Sequence, residues 1–158
     1  MKNGLTKVAF IGSIIAMFWV GTSFIIKKKE CDRQLLLEKA VPKLKKFTLI
    51  QDYPFSFKKK KKNDAIEYSK QMITLNRGIR YKFYAVKNDE FEGIPIVYIF
   101  NNEKQEVMLG SSYNTHYKKF YDEIEFECKT TGNYCLSFCF QDGLDGCALG
   151  VFSSNVKE

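Results

Sequence analysis

The sequence predicts a mainly β protein: an antiparallel β-sandwich, jelly-roll-like and of about eight strands, preceded by one transmembrane helix and a basic helical connector. Three observations predict this class. Residues 8–26 carry no charge, the next segment is rich in lysine, and beyond about residue 65 apolar and polar residues alternate in short segments. The chain then divides into a short basic tail (1–7), a transmembrane helix (8–26), a basic juxtamembrane connector (27–62) and the β-sandwich (63–158).

The apolar run of residues 8–26 has the length of a membrane span. As a helix, its 19 residues would cover about 28 Å, against a hydrocarbon core of about 30 Å. A cleaved signal peptide is the competing interpretation, but its apolar region is shorter and ends at small residues. This run ends in "SFIIKKKE". The pattern therefore favours a permanent anchor over a signal peptide.

Small residues fall on one stripe of this predicted helix. Such a stripe lets another helix approach closely within lipid, where association depends on packing. Glycine, alanine and serine are also common in membrane helices without a partner. We expect the stripe to pack against another integral membrane protein, through Ala9, Gly12, Ser13, Ala16, Val20 and Ser23.

The formal charge of +7 is concentrated in the connector. Residues 27–62 contain 13 Lys and Arg against four Asp and Glu, a net charge of +9, whereas residues 63–158 carry a net charge of −4. Lysines beside aromatic residues can bind single-stranded nucleic acid. A basic block next to a span instead suits anionic lipid headgroups, at about 1 kcal/mol per residue. Plain solubility and an acidic protein partner are the alternatives for this block. We predict no nucleic acid and the following lipid-surface lysines: Lys27, Lys28, Lys29, Lys58, Lys59, Lys60, Lys61 and Lys62.

The connector begins with a helical pattern that ends near residue 50. Its apolar residues recur at intervals of three and four, and Pro42 is expected to kink or restart the helix. Such a helix could continue the membrane span, lie along the lipid surface or pack on the domain. The alternating aromatics of "YPFSF" then indicate a strand that enters a solvated lysine loop.

The segments beyond residue 65 alternate with period two and are separated by turns. Gly78 marks a turn, and Pro95 is confined to the start of a strand or to an edge. Inward positions include Ile124, Phe126 and Cys128, with glutamates between them. Strands are predicted at 66–75, 79–86, 94–100, 106–112, 123–128, 134–140 and 147–154, with a polar connection and a possible added strand at 113–122.

The stretch "YCLSFCFQDGLDGC" is predicted to form the last hairpin of the sandwich. Its aromatic residues share one face with Leu136, and Cys135, Ser137 and Cys139 share the other. If "QDGLDG" closes the hairpin, Cys139 and Cys147 lie nearly opposite and could form a disulfide in an oxidising compartment. Alternatively these cysteines are small apolar core residues. Cys31 could be an intermolecular thiol or have no role.

The sequence offers no catalytic or cofactor-binding motif. Cys135 and Cys139 would lie about 13 Å apart along a strand, too far to share zinc. Asp142 and Asp145 lack the calcium-loop pattern, and the lone His116 has no nucleophile motif around it. Phosphate-binding and dinucleotide-binding glycine motifs are absent. We predict no enzyme activity, no metal and no cofactor, and the sequence identifies no small-molecule substrate.

The pattern of strand and turn residues in "ITLNRGIRYKFYAV", "IVYIFNNEKQEV" and "FYDEIEFECKTTGNYCLSF" resembles that of bacterial pre-peptidase C-terminal-type sandwiches and is similar to that of GOLD domains. The resemblance covers residues 66–154 and rests on Leu75, Gly78, Tyr81, Asn101, Asn102, Phe126, Gly132, Tyr134 and Phe138. It implies a partner-binding module without an active site, on the exported side of a membrane.

The sequence contains conflicting signals for the orientation of the chain in the membrane. Two lysines precede the span, and five basic residues follow closely, which favours a cytoplasmic carboxyl side. The resemblance and the short basic tail favour export. We expect a non-catalytic, single-pass protein of a bacterial-type inner (cytoplasmic) membrane with its sandwich in the periplasm, an accessory or scaffolding subunit of a larger assembly. The alternatives are the cytoplasmic orientation and an anchored binding module for a sugar, peptide or envelope polymer.

Overall fold

The computed structural model describes residues 31–61, 63–102 and 104–155. The tail, the predicted span at 8–26 with its small-residue stripe, Lys27–Lys29 and Lys62 lie outside them. Within the described ranges, no helix has the length and apolar character needed to span a bilayer. The elements are α1 Arg33–Leu44, β1 Thr48–Phe57, β2 Ser69–Leu75, β3 Arg80–Lys87, β4 Pro95–Phe100, β5 Met108–Ser111, β6 Tyr113–Asn114, β7 Lys119–Phe120, β8 Ile124–Glu127, β9 Gly132–Phe140 and β10 Gly146–Asn155.

Two four-stranded antiparallel sheets form the body of the described chain. Sheet A has the order β1-β10-β3-β8 and sheet B the order β2-β9-β4-β5, while β6 and β7 form a separate hairpin. Apart from β4–β5, each connection between successive strands of these sheets crosses from one sheet to the other. This is the strand order of a jelly roll. The predicted antiparallel, mainly β fold is confirmed.

Aromatic side chains fill the space between the sheets. Phe55 of β1 packs on Phe138 and Phe140 of β9 with ring centroids 5.2 and 5.1 Å apart. Phe83 of β3 stacks on Phe152 of β10 at 5.5 Å. The inward positions predicted for β8 and the shared aromatic face predicted for β9 are confirmed, because their residues belong to this core or pack against it.

Helix α1 covers the outer face of sheet A. The side chain of Asp32 caps the helix by accepting hydrogen bonds from the backbone N–H groups of Gln34 and Leu35. Leu36 and Ala40 are buried against the outward residues of β3 and β10. Of the three positions left open for this helix, the structure shows packing on the domain.

The predicted boundary between connector and sandwich at residue 63 therefore differs from the structure. Strand β1, placed within the connector, pairs with β10 from Thr48 to Phe57 and forms an edge of sheet A. The physical reason is that the alternating aromatics of β1 face the core, so hydrophobic burial outweighs the influence of the lysines that follow. The helix also runs through Pro42 to Leu44 without restarting there.

The outward face of β3 is buried as well. Lys82 is 1% exposed; its Nζ lies 3.0 Å from Oε2 of Glu123 and 4.6 Å above the ring of Phe47. The hydroxyl of Tyr84 donates to the backbone carbonyl of Ala40 at 2.9 Å. The polar groups of Lys82 and Tyr84, which water would solvate in an isolated sheet, therefore have partners within the folded chain.

Candidate functional site

One end of the sandwich carries Cys31, the first described residue, and we call it the entry end. It contains the start of α1 and the loops at 58–61, 63–68, 88–94 and 141–145. Cys31 is joined there to Cys147 by a disulfide with a Cα–Cα distance of 5.5 Å. Beside Cys31 lies a cavity of about 510 Å³ whose walls include Phe57, Lys58 and Phe91. The lysine loop and the disulfide therefore occupy the same end.

The predicted Cys139–Cys147 disulfide is wrong. Cys147 bonds to Cys31, and Cys139 is a free, buried thiol. The reason is topological: β9 belongs to sheet B and β10 to sheet A, so residues 141–145 cross between the sheets and do not close a hairpin. Burial raises the pKa of the Cys139 thiol to about 11, which keeps this thiol protonated and unreactive at neutral pH.

The lysine loop at 58–61 is largely solvent-facing. Lys58, Lys59 and Lys61 are exposed, and Lys60 pairs with Glu67 at 3.0 Å. The entry end also carries acidic residues, in the loops at 88–94 and 141–145. The positive charge is therefore concentrated on the β1–β2 side of this end. These exposed lysines are free to contact an anionic surface.

The outer face of sheet B is the second candidate site, and we call it the open face. The strand register places Met72, Tyr98 and Phe100 there, together with Tyr68 and Met108 at its borders. Tyr68, Met72 and Met108 are 45%, 48% and 56% exposed. Whereas α1 covers sheet A, no helix of the described chain covers the open face.

Between these large side chains run the outward residues of β9: Cys135, Ser137 and Cys139. All three are buried although they face outward, because their larger neighbours shield them. The Oγ of Ser137 has no hydrogen-bond partner in the described structure, which is costly for a buried hydroxyl. The pKa of Tyr98 is raised to about 12, chiefly by burial and then by the nearby thiol of Cys139. The sequence placed these three residues on one face, and the alternative interpretation of Cys135 and Cys139 as small apolar core residues agrees with their burial as free thiols.

The polar residues that the sequence analysis tested for metal binding or catalysis do not assemble into a site in the described structure. The ring of His116 is exposed on the β6–β7 hairpin and lies edge-on to Tyr117 at 4.7 Å. Asp142 lies in a turn at φ 53°. Over the described residues, no three His, Cys, Asp or Glu side chains are grouped closely enough to hold a metal ion. The lack of enzyme activity stays a prediction.

Comparison with known proteins adds no functional assignment. No family model matches the chain, and no curated protein matches it. The resemblance to pre-peptidase C-terminal-type and GOLD sandwiches therefore stays a prediction.

Proposed function

We propose that this chain is a non-catalytic single-pass membrane protein, an accessory or scaffolding subunit whose sandwich faces the periplasm of a bacterial-type cell. The observation that carries the orientation is the Cys31–Cys147 disulfide. Disulfides form and persist in oxidising compartments and are rare in the cytosol. The bond therefore supports export, against the count of flanking lysines.

The disulfide also supports a position close to the bilayer. Cys31 follows Ile26, the last residue of the apolar run, by five residues, and an extended chain of that length spans at most about 18 Å. A sandwich tethered so tightly turns its entry end towards the lipid. The exposed Lys58, Lys59 and Lys61 then lie within reach of anionic headgroups.

Two surfaces suit a protein partner in such an assembly. The small-residue stripe of the predicted span would pack against another membrane helix. The open face of sheet B carries aromatic and methionine side chains beside the exposed Lys70 and Thr74, and apolar surface patches mark protein interaction sites in many proteins. Its exposed methionines, Met72 and Met108, can adapt to an irregular partner surface.

Counting free thiols tests the orientation. Cells are lysed in denaturant with N-ethylmaleimide, and the adducts on the intact chain are counted by mass spectrometry. The proposal expects three adducts without reductant, on Cys128, Cys135 and Cys139, and five after reduction. The Cys31→Ser variant is the matched control, with four adducts under both conditions. Five adducts on the unreduced wild-type chain would refute the export assignment.

Purification in mild detergent tests the subunit role. We expect other membrane proteins to co-purify with the wild-type chain, and expect a Gly12→Ile, Ala16→Ile variant or a Met72→Lys, Met108→Lys variant to lose them. Val41→Lys, which alters an exposed apolar residue of α1, should retain them. A lone monomer whose behaviour none of these variants changes would favour the anchored binding module instead.

A further inference from the structure

A cleft lies where β8 is too short to accompany β3. Strand β8 begins opposite Phe83, while β3 continues to Lys87. Beyond Phe83, β3 therefore pairs only with β10 in the described structure. The segment 120–122 and the flank of α1 close this gap incompletely and leave a cleft of about 310 Å³, at the lower end of the range for small-molecule sites.

The charges in this cleft favour an anion. Lys39, Lys43 and Lys87 line it, together with the carboxylates of Asp89 and Asp122. Lys39 is paired with Asp89 at 2.7 Å, and this hydrogen bond lowers the pKa of Asp89. Lys43 and Lys87 are in no ion pair of the described residues. Lys87 also interacts electrostatically with Asp89, so the cleft holds three lysines against two carboxylates among the described residues and is basic by one charge.

The cleft also has an apolar and aromatic part. It is formed by Ile94, Pro95, Phe120 and Tyr121, of which Ile94 and Tyr121 are 37% and 44% exposed. The buried Ser112 also lines the cleft; its Oγ accepts from the backbone N–H of Val97 at 2.9 Å, which leaves the hydroxyl proton for a further acceptor.

We propose that this cleft binds a small organic anion. A phosphate or carboxylate group contacts Lys43 and Lys87, and the apolar body of the ligand packs on Ile94, Phe120 and Tyr121. The proposal is independent of the subunit role, because it uses neither the small-residue stripe nor the open face.

Phenyl phosphate is the probe, titrated calorimetrically into the full chain held in nanodiscs of zwitterionic phosphatidylcholine. We expect saturable binding of phenyl phosphate. Inorganic phosphate and benzyl alcohol should bind at least tenfold more weakly, since the first lacks the aromatic ring and the second lacks the charged phosphate. The Lys43→Gln, Lys87→Gln variant should bind about tenfold more weakly, because charge-assisted contacts are lost. The matched control Lys104→Gln, Lys129→Gln removes the same charge at exposed sites away from the cleft and should stay within twofold of wild type.

Tyr121→Ala separates the two parts of the site. It should weaken phenyl phosphate about tenfold and leave any binding of inorganic phosphate unchanged. Absence of saturable binding to the wild-type chain, or equal weakening in both double-lysine variants, would overturn the proposal. Nanodiscs that contain phosphatidic acid distinguish the sources of the anion: competition with phenyl phosphate identifies a lipid headgroup, and undiminished binding identifies a soluble ligand.

Discussion

Removal of the Cys31–Cys147 disulfide should markedly reduce the stability of the sandwich. The bond joins residues separated by 116 positions, so it constrains almost the whole described chain when that chain unfolds. The loop-entropy relation for a loop of this length gives about 5 kcal/mol, and measured effects are usually 2–4 kcal/mol. We therefore expect the free energy of unfolding to fall by about 3–5 kcal/mol when the bond is reduced.

Urea denaturation of the full chain in a mild non-ionic detergent measures this loss. The unfolding is followed by near-ultraviolet circular dichroism of the aromatic core, with and without a phosphine reductant. Cys31→Ser is the best comparison, because Cys31 lies at the margin of the cluster beneath α1 whereas Cys147 is fully buried in it. Without reductant, this variant should unfold at the same midpoint as reduced wild type, and reductant should not change it further.

The expectation fails if wild type, shown by mass spectrometry to be fully reduced, unfolds at the same urea concentration as the oxidised protein. That result would have one of two causes. Either the packing of Leu36 and Ala40 holds α1 on sheet A without help from the bond, or the unfolded chain is compact enough for the cross-link to remove little entropy.

Three further outcomes test particular contacts by the same denaturation assay. Burial raises the pKa of Tyr84 to about 12 from 10, so the stability gained from its neutral hydroxyl is complete below pH 10. About 2–3 kcal/mol of the free energy of unfolding is lost as the pH rises from 10 to 12, and Tyr84→Phe should reduce this alkaline loss. Gly150→Ala should cost about 1–3 kcal/mol, because a Cβ there would clash with ring atoms of Phe138. Ser137→Ala should be neutral or stabilising, because no hydrogen bond is lost, whereas Ser153→Ala should cost about 1 kcal/mol through the loss of a buried one.

Strand positions and inward faces could be predicted because both depend on local alternation. Tyr81, Phe83, Phe126 and Phe138 are aromatic residues at period-two positions, and each packs in or against the core. The assignment of β1 to the connector failed for a different reason: the lysines that follow the strand dominated the charge count. The alternation of aromatics in "YPFSF" was the available signal, and it was correctly interpreted as a strand but not as part of the sheet.

Pairings between distant segments could not be predicted in the same way. The "QDGLDG" segment has strong turn residues, yet turn residues do not specify whether the next strand pairs with the previous one or crosses to the opposite sheet. Here it crosses, which separates Cys139 from Cys147. The bond to Cys31 depends on α1 lying over β10, and a contact across 116 positions leaves no periodic signal in the sequence.

The direction of the strands limits where a partner could bind under the proposed function. Strands β1, β3, β9 and β10 run between the entry end and the opposite end of the sandwich. If the entry end faces the bilayer, the outer faces of both sheets point sideways, parallel to the membrane plane. Helix α1 already occupies the face of sheet A, so the open face of sheet B is the lateral apolar surface that remains. A neighbour bound there would stand beside the chain in the membrane, where the small-residue stripe could contact the same neighbour, and two such contacts on one tethered partner reinforce each other through effective concentration.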